Sequence, residues 1–231
     1  NNKQADLFYR RLISTLAPHC SCYKPNLAFF EALGLDGLSW LKDLISYAKE
    51  FHPVILDAKR GDIGNTAKKQ ARFIFDVLGA DATTLHPYMG SDSIFPFLDY
   101  EDKFSFVLVA TSNPSAKEFE MQALKPHQVL SDCVYDEVLK WNQRYKNLGV
   151  VMGATNLDYM TKTRKRDSSL LYLVPGVGAQ GGSYKDIKAL AKNKEGSVLI
   201  NVSRQTYAKS TVNVVVLFAI CVSFLYMSSR A

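Results

Sequence analysis

Cysteine is scarce in this chain and poorly placed for cross-linking: four residues, at positions 20, 22, 133 and 221, are too few and too unevenly spaced for a disulfide framework. Cys20-Ser21-Cys22 has no second cysteine pair to complete a zinc site, and His19, His52, His86 and His127 are scattered without the spacing of a metal-binding helix. No metal is therefore expected, and reduced, buried thiols fit a cytoplasmic protein. No secretory signal is expected either, since the sequence opens Asn-Asn-Lys-Gln and passes straight into an amphipathic pattern. No Gly-x-Gly-x-x-Gly follows an early apolar run, which removes support for a dinucleotide-binding open sheet. The basic run Lys162, Arg164, Lys165 and Arg166 has no aromatic stacking platform beside it, so it reads as a solvated loop and not as a nucleic-acid surface.

What is present points to one substantial core. The chain has 231 residues, 47% of them hydrophobic, and its +6 charge arises from 28 Lys and Arg against 22 Asp and Glu, an excess that suits an anionic small molecule. Apolar runs of strand length recur at 20–23, 54–56, 82–85, 104–110, 150–154, 170–174 and 198–202, with helical stripes between them. Leu41, Leu44, Ile45 and Ala48 share one helical face after Ser39 as a candidate cap, and Val129, Val134, Val138 and Trp141 trace another. This alternation means a parallel sheet, and the α/β architecture expected is a closed (βα)8 TIM barrel occupying residues 1–210. An amphipathic helix over 5–16, with Leu7, Phe8, Arg11 and Leu12, precedes the first visible strand, so the barrel's first strand is expected to be missing. Residues 211–231 form an atypical apolar C-terminal segment. As a helix, 212–227 would reach only about 24 Å against a hydrocarbon core of roughly 30 Å. A membrane contact there is less favoured than an altered terminus or a buried barrel helix.

Barrels of this kind carry their functional groups at the carboxyl ends of the strands. The first strand run ends at Lys24-Pro25-Asn26, the third at His86-Pro87-Tyr88, read as scaffold, and the fourth at Thr111-Ser112-Asn113-Pro114. The second ends in three charges, Asp57, Lys59 and Asp62. On a strand, residues two apart share a side, so Asp57 and Lys59 should project together while Gly61 lets the chain bend and return Asp62. After the later strands come Pro175-Gly-Val177-Gly-Ala-Gln180-Gly-Gly and Asn201-Val-Ser-Arg204. Glycines let backbone N–H groups approach an anion, and an arginine grips phosphate bidentately, so these two loops read as a phosphate clamp with Gln180 and Arg204 as its side chains.

Taken together and in this order, the motifs from Tyr23 to Arg204 resemble orotidine 5′-phosphate decarboxylase, of the longer bacterial-type subgroup. The resemblance implies cofactor-free conversion of orotidine 5′-monophosphate to uridine 5′-monophosphate, the last step of pyrimidine nucleotide synthesis. It implies a Lys-Asp-Lys-Asp array of Lys24, Asp57, Lys59 and Asp62, and a homodimer in which Asp62, Ile63 and Thr66 reach the partner's site. By the same resemblance Ser112 contacts the pyrimidine edge, Asn26 and Thr66 the ribose or ring, and Pro175 and Val177 close over the ring. The family also carries an aspartate at the end of its first strand, and that residue is expected to be missing together with the strand. The chemistry is coherent with the residues: loss of CO2 leaves a carbanion at C6, Lys59 supplies fixed positive charge and then the proton, and Lys24 holds Asp57. Two other readings compete. One is a Mg2+-dependent sugar-phosphate lyase of the same superfamily, which a chelator would silence; the other is a truncated barrel that binds nucleotides without turnover.

Overall fold

The computed structural model describes residues 2–178, 181–190, 198–202 and 218–223. The chain begins with α1 (Asn2–Leu16), followed by β1 (Cys22–Pro25), α2 (Leu27–Glu31) and α3 (Gly34–Lys49). β2 (Ile55–Arg60), α4 (Gly64–Arg72), β3 (Ala82–Leu85), α5 (Phe95–Leu98) and β4 (Phe104–Ala110) continue the alternation. A small hairpin of β5 (Ala123–Lys125) and β6 (Gln128–Val129) precedes α6 (Leu130–Tyr145) and β7 (Leu148–Met152). The remainder is α7 (Leu157–Arg166), β8 (Tyr172–Val174), α8 (Tyr184–Leu190), β9 (Val198–Val202) and β10 (Phe218–Ser223).

Each of the seven expected runs holds a strand, and these seven lie parallel where they pair with one another. The sheet order is β1-β10-β9-β8-β7-β4-β3-β2, and parallel bridges Tyr23 to Val54 and Asn26 to Asp57 join its two ends into a closed barrel. Burial follows the period of two that a strand imposes. Cys22, Ile55, Ala82, Phe106, Leu108, Val151 and Leu173 form one apolar cluster, the barrel interior. Their neighbours Tyr23, Leu56, Val107, Val150 and Val174 belong to the larger cluster that packs under the helices. Both faces are buried, which is why these strands read as continuous apolar runs.

Several helices differ in detail from the sequence expectation. Leu41, Leu44, Ile45 and Ala48 are buried on α3 as expected, but the helix starts at Gly34, so Ser39 lies inside it and is not its cap. In α1 the inward residues are Tyr9 and Ile13, with Phe8 and Leu12 half-buried and Leu7 and Arg11 exposed. The face is turned because Tyr9 packs edge-on against Trp40 of α3, ring centroids 5.8 Å apart. The basic run is not a solvated loop: it is the last part of α7, with Arg164 buried and its guanidinium 3.6 Å from the Tyr172 ring centre. Lys162 and Arg166 pair with Asp132 of α6, and Arg166 also with Asp136.

The apolar tail gives the largest departure. Residues 218–223 are strand β10 and not part of a helix; it runs antiparallel to both neighbours, pairing Lys24 with Ala219 and Asn201 with Cys221. Among the described residues, no helix is long and apolar enough to cross a membrane.

Candidate active site

The carboxyl ends of β1, β2 and β3 bring a lysine, an Asp-x-Lys pair and a threonine to one point at the barrel mouth. Lys24 Nζ donates to Asp57 Oδ2 at 2.8 Å, Lys59 Nζ to Asp57 Oδ1 at 2.5 Å, and Thr84 Oγ1 to the same Oδ1 at 2.9 Å. The side chains of Lys24 and Asp57 are only 8% and 11% exposed, whereas Lys59 is 46% exposed and faces the opening. Burial alone pushes the Asp57 carboxyl up, but the adjacent Lys24 and Lys59 ammonium groups and their hydrogen bonds outweigh it and hold the carboxyl well below the usual range. Asp57 is a fixed anion held between two cations.

These groups line a cavity of about 920 Å3. Its inner wall is apolar, with Leu108, Val151 and Leu173 rising from the barrel interior. Ser112 and Pro175 line it as well, so two of the expected ring-binding residues stand beside the charged centre. The loop after β4 that carries Ser112 is tied down by Glu120, which accepts from Thr111 N at 2.7 Å and from Thr111 Oγ1 at 2.6 Å. Asn156 Nδ2 donates to the Thr111 carbonyl at 2.8 Å. Gly153, at the end of β7, has no room for a side chain: a Cβ there would lie 2.6 Å from Ser112 N.

Asn26 sits at the rim, where Oδ1 accepts from Ala28 N at 3.0 Å and caps α2. Asp62, Ile63 and Thr66 lie on the loop after β2 and the first turn of α4; Asp62 Oδ1 accepts from Ile63 N at 2.7 Å. Among the described residues that line this chain's cavity, none of the three is included. Val177 is buried and bridged to Gly182 across the glycine turn, where Gly181 N donates to the Gly178 carbonyl at 2.9 Å. Gln180 and Arg204 lie outside the described residues.

Two expectations about the β2 and β3 ends change. Gly61 does not use the left-handed freedom of a glycine: the positive φ values around this turn belong to Lys59, +44°, and Gly64, +55°, and Gly61 is needed because a Cβ would come within 2.9 Å of His86 Cβ. His86, Pro87 and Tyr88, read as scaffold, line the cavity. Thr84 and Glu120 were not singled out by the sequence; both sit in runs with no unusual spacing, and only the fold brings them to Asp57 and Thr111.

Comparison with known proteins agrees with this geometry. Residues 5–216 match the family model described as orotidine 5′-phosphate decarboxylase / HUMPS family. A curated orotidine 5′-phosphate decarboxylase of Dehalococcoides mccartyi strain 195 is 43% identical over 208 residues, covering 88% of this chain and 77% of that protein. The enzyme of the same name from Christiangramia forsetii is 42% identical over 211 residues, covering 89% and 76%. The structure of Leishmania donovani OMP decarboxylase superposes with a TM-score of 0.80 at 38% identity, over 87% of this chain and 79% of that one. With its barrel, its lysine-flanked aspartate and a match spanning most of its length, the chain belongs to the orotidine 5′-phosphate decarboxylase / HUMPS family.

Proposed function

We infer that this protein decarboxylates orotidine 5′-monophosphate to uridine 5′-monophosphate, the last step of pyrimidine nucleotide synthesis in the cytoplasm. The observation that carries the reading is Asp57 buried between Lys24 and Lys59 at the mouth of a barrel whose curated relatives bear that enzyme's name. When the C6–carboxylate bond breaks, CO2 departs and the electron pair stays on C6. Lys59, the more exposed of the two lysines, supplies the positive charge toward which that pair develops. Its Nζ then gives a proton to C6, leaving the neutral amine, which water reprotonates. Lys24 keeps Asp57 ionised and fixed, and Asp57 in turn holds Lys59. The apolar wall of Leu108, Val151 and Leu173 keeps water from the departing CO2 and raises the worth of every charge in the site.

Substrate binding is assigned along the same rim. Ser112 hydrogen-bonds the pyrimidine edge, Pro175 and Val177 flank the ring, and Asn26 contacts the ribose. Gln180 and Arg204 with the glycine turn take the phosphate, whose binding energy serves positioning at the distant reacting carbon. Asp62, Ile63 and Thr66 complete the partner's site in a homodimer. What supports that arrangement is that none of the three lines the cavity of its own barrel among the described residues, and that Ile63 itself is exposed, as are Met89 and, at 87%, Tyr88 on the loop after β3.

The test follows the absorbance of orotidine 5′-monophosphate during turnover. The wild type is expected to consume it, and Lys59→Ala to lose about a thousandfold or more in kcat. A wild type that leaves the substrate untouched sinks the assignment; near-normal turnover by Lys59→Ala sinks the mechanism but not the substrate.

A further inference from the structure

The strand that delivers Asp57 and Lys59 is not regular where it delivers them. β2 and β3 pair Leu56 with Thr83 and then Arg60 with Leu85, so three residues of β2, Asp57, Ala58 and Lys59, stand opposite the single residue Thr84. Lys59 takes φ +44°, a backbone conformation that side chains other than glycine rarely adopt. A regular ladder cannot serve the N–H groups of Ala58 and Lys59 in this bulge. Both donate instead to Thr84 Oγ1, at 3.1 and 3.0 Å. A hydroxyl has two acceptor lone pairs and one proton. With both lone pairs taken by the backbone, the hydroxyl is left to donate, and its acceptor is Asp57 Oδ1 at 2.9 Å, the oxygen that also accepts from Lys59 Nζ.

We propose that Thr84 is a positioning residue for the decarboxylation, its hydroxyl fixing the β2 bulge and the Asp57 carboxylate so that the Lys59 ammonium is aimed at the reacting carbon. The proposal rests on the assigned roles of Asp57 and Lys59. Thr84 acts through those two residues and needs no contact with substrate. Thr83, its neighbour on β3, provides an internal control: it is equally buried, but its hydroxyl donates to the Leu56 carbonyl at 3.0 Å, a bond that involves no charged group of the site.

The experiment compares Thr84→Val, Thr84→Ser and Thr83→Val in the full chain, by steady-state kinetics on orotidine 5′-monophosphate, thermal unfolding and amide hydrogen exchange. Thr84→Val is expected to lower kcat by about a hundredfold with little change in KM, because the site is mis-set and not emptied. Thr84→Ser should restore most of kcat, and Thr83→Val should lose stability while keeping kcat. Exchange at the Ala58 and Lys59 amides should quicken by about tenfold or more in Thr84→Val. Equal kcat in Thr84→Val and Thr83→Val, or no rescue by serine, overturns the proposal. Unchanged exchange at those two amides overturns it whatever the protein turns over, whereas a wild type inactive on this substrate with the exchange change present faults the functional reading and leaves the positioning of Asp57 and Lys59 standing.

Discussion

Asp57 is ionised inside the protein because two lysines make it so, and removing either lysine leaves a different residue behind. Burial opposes its charge, while Lys24 and then Lys59 more than reverse that effect. Lys24 is the more buried partner, so Lys24→Met should leave an under-compensated buried carboxylate and destabilise the fold by about 3 kcal/mol at neutral pH. The pH dependence has a definite sign. A carboxyl whose folded-state value lies below its unfolded one stabilises the native state fully above the ordinary aspartate value of 3.8, and that contribution is lost as pH falls through the lowered folded value. In Lys24→Met the depression is weakened and burial raises the carboxyl instead. The stability gap between wild type and variant should therefore be widest near pH 7 and narrow toward pH 3, as read by denaturant unfolding across that range. A gap that widens on acidification would contradict this account of Asp57. At this scale the sequence is half legible. Two residues apart on a strand, Asp57 and Lys59 can be placed together by alternation, and the structure does bring them together. The bulge that aims them cannot be read that way, because it depends on Thr84, a threonine in a threonine-containing strand whose only distinction is what lies across the ladder.

Between elements, close approach of backbones sets the ring-binding side of the cavity. Gly153 follows β7 directly against the loop after β4, where a Cβ would lie 2.6 Å from Ser112 N and 2.8 Å from Ser112 Cα. Those are backbone atoms, held by the Glu120 and Asn156 hydrogen bonds to Thr111, so the loop cannot yield cheaply. Gly153→Ala should push Ser112 away from the pyrimidine and raise KM for orotidine 5′-monophosphate by about tenfold, a loss on the scale of one hydrogen bond. Steady-state kinetics decide it, with unchanged KM counting against Ser112 as a ring contact. The motif Thr111-Ser112-Asn113-Pro114 is visible in the sequence; the glycine that supports it from another strand, 41 positions beyond Ser112, is not. The same gap between local pattern and tertiary partner explains α7. Lys162, Arg164 and Arg166 read as a solvated basic run because Asp132 and Asp136, which pair with Lys162 and Arg166, lie on α6, and because Tyr172, which takes the buried Arg164, comes from the following strand.

For the whole molecule, closure is the organising constraint, since a barrel leaves no strand edge exposed. Apolar stretches such as 212–227 fit a buried helix or a buried strand equally well by periodicity. The neighbours decide: without a strand between them β1 and β9 would each leave an edge unpaired, and residues 218–223, with Phe218, Ile220 and Val222 in their sequence, pair with both. Proline has no N–H for either ladder, so Ile220→Pro, at a position paired with both Tyr23 and Val202, should cost about 3 kcal/mol in denaturant unfolding. Unaltered stability would remove β10 from the barrel wall. The larger unit is the proposed dimer, and it makes the most demanding prediction. If each site combines Lys59 of one protomer with Asp62 of its partner, Lys59→Ala and Asp62→Ala are each inactive alone, but mixed, unfolded and refolded together they must regain turnover. Random reassociation makes half the dimers hybrid, and in each hybrid one site gathers both defects while the other gathers none, so about a quarter of wild-type activity should return. Were Asp62 to serve its own barrel, every site in the mixture would carry one defect or the other, and no activity would appear at any mixing ratio.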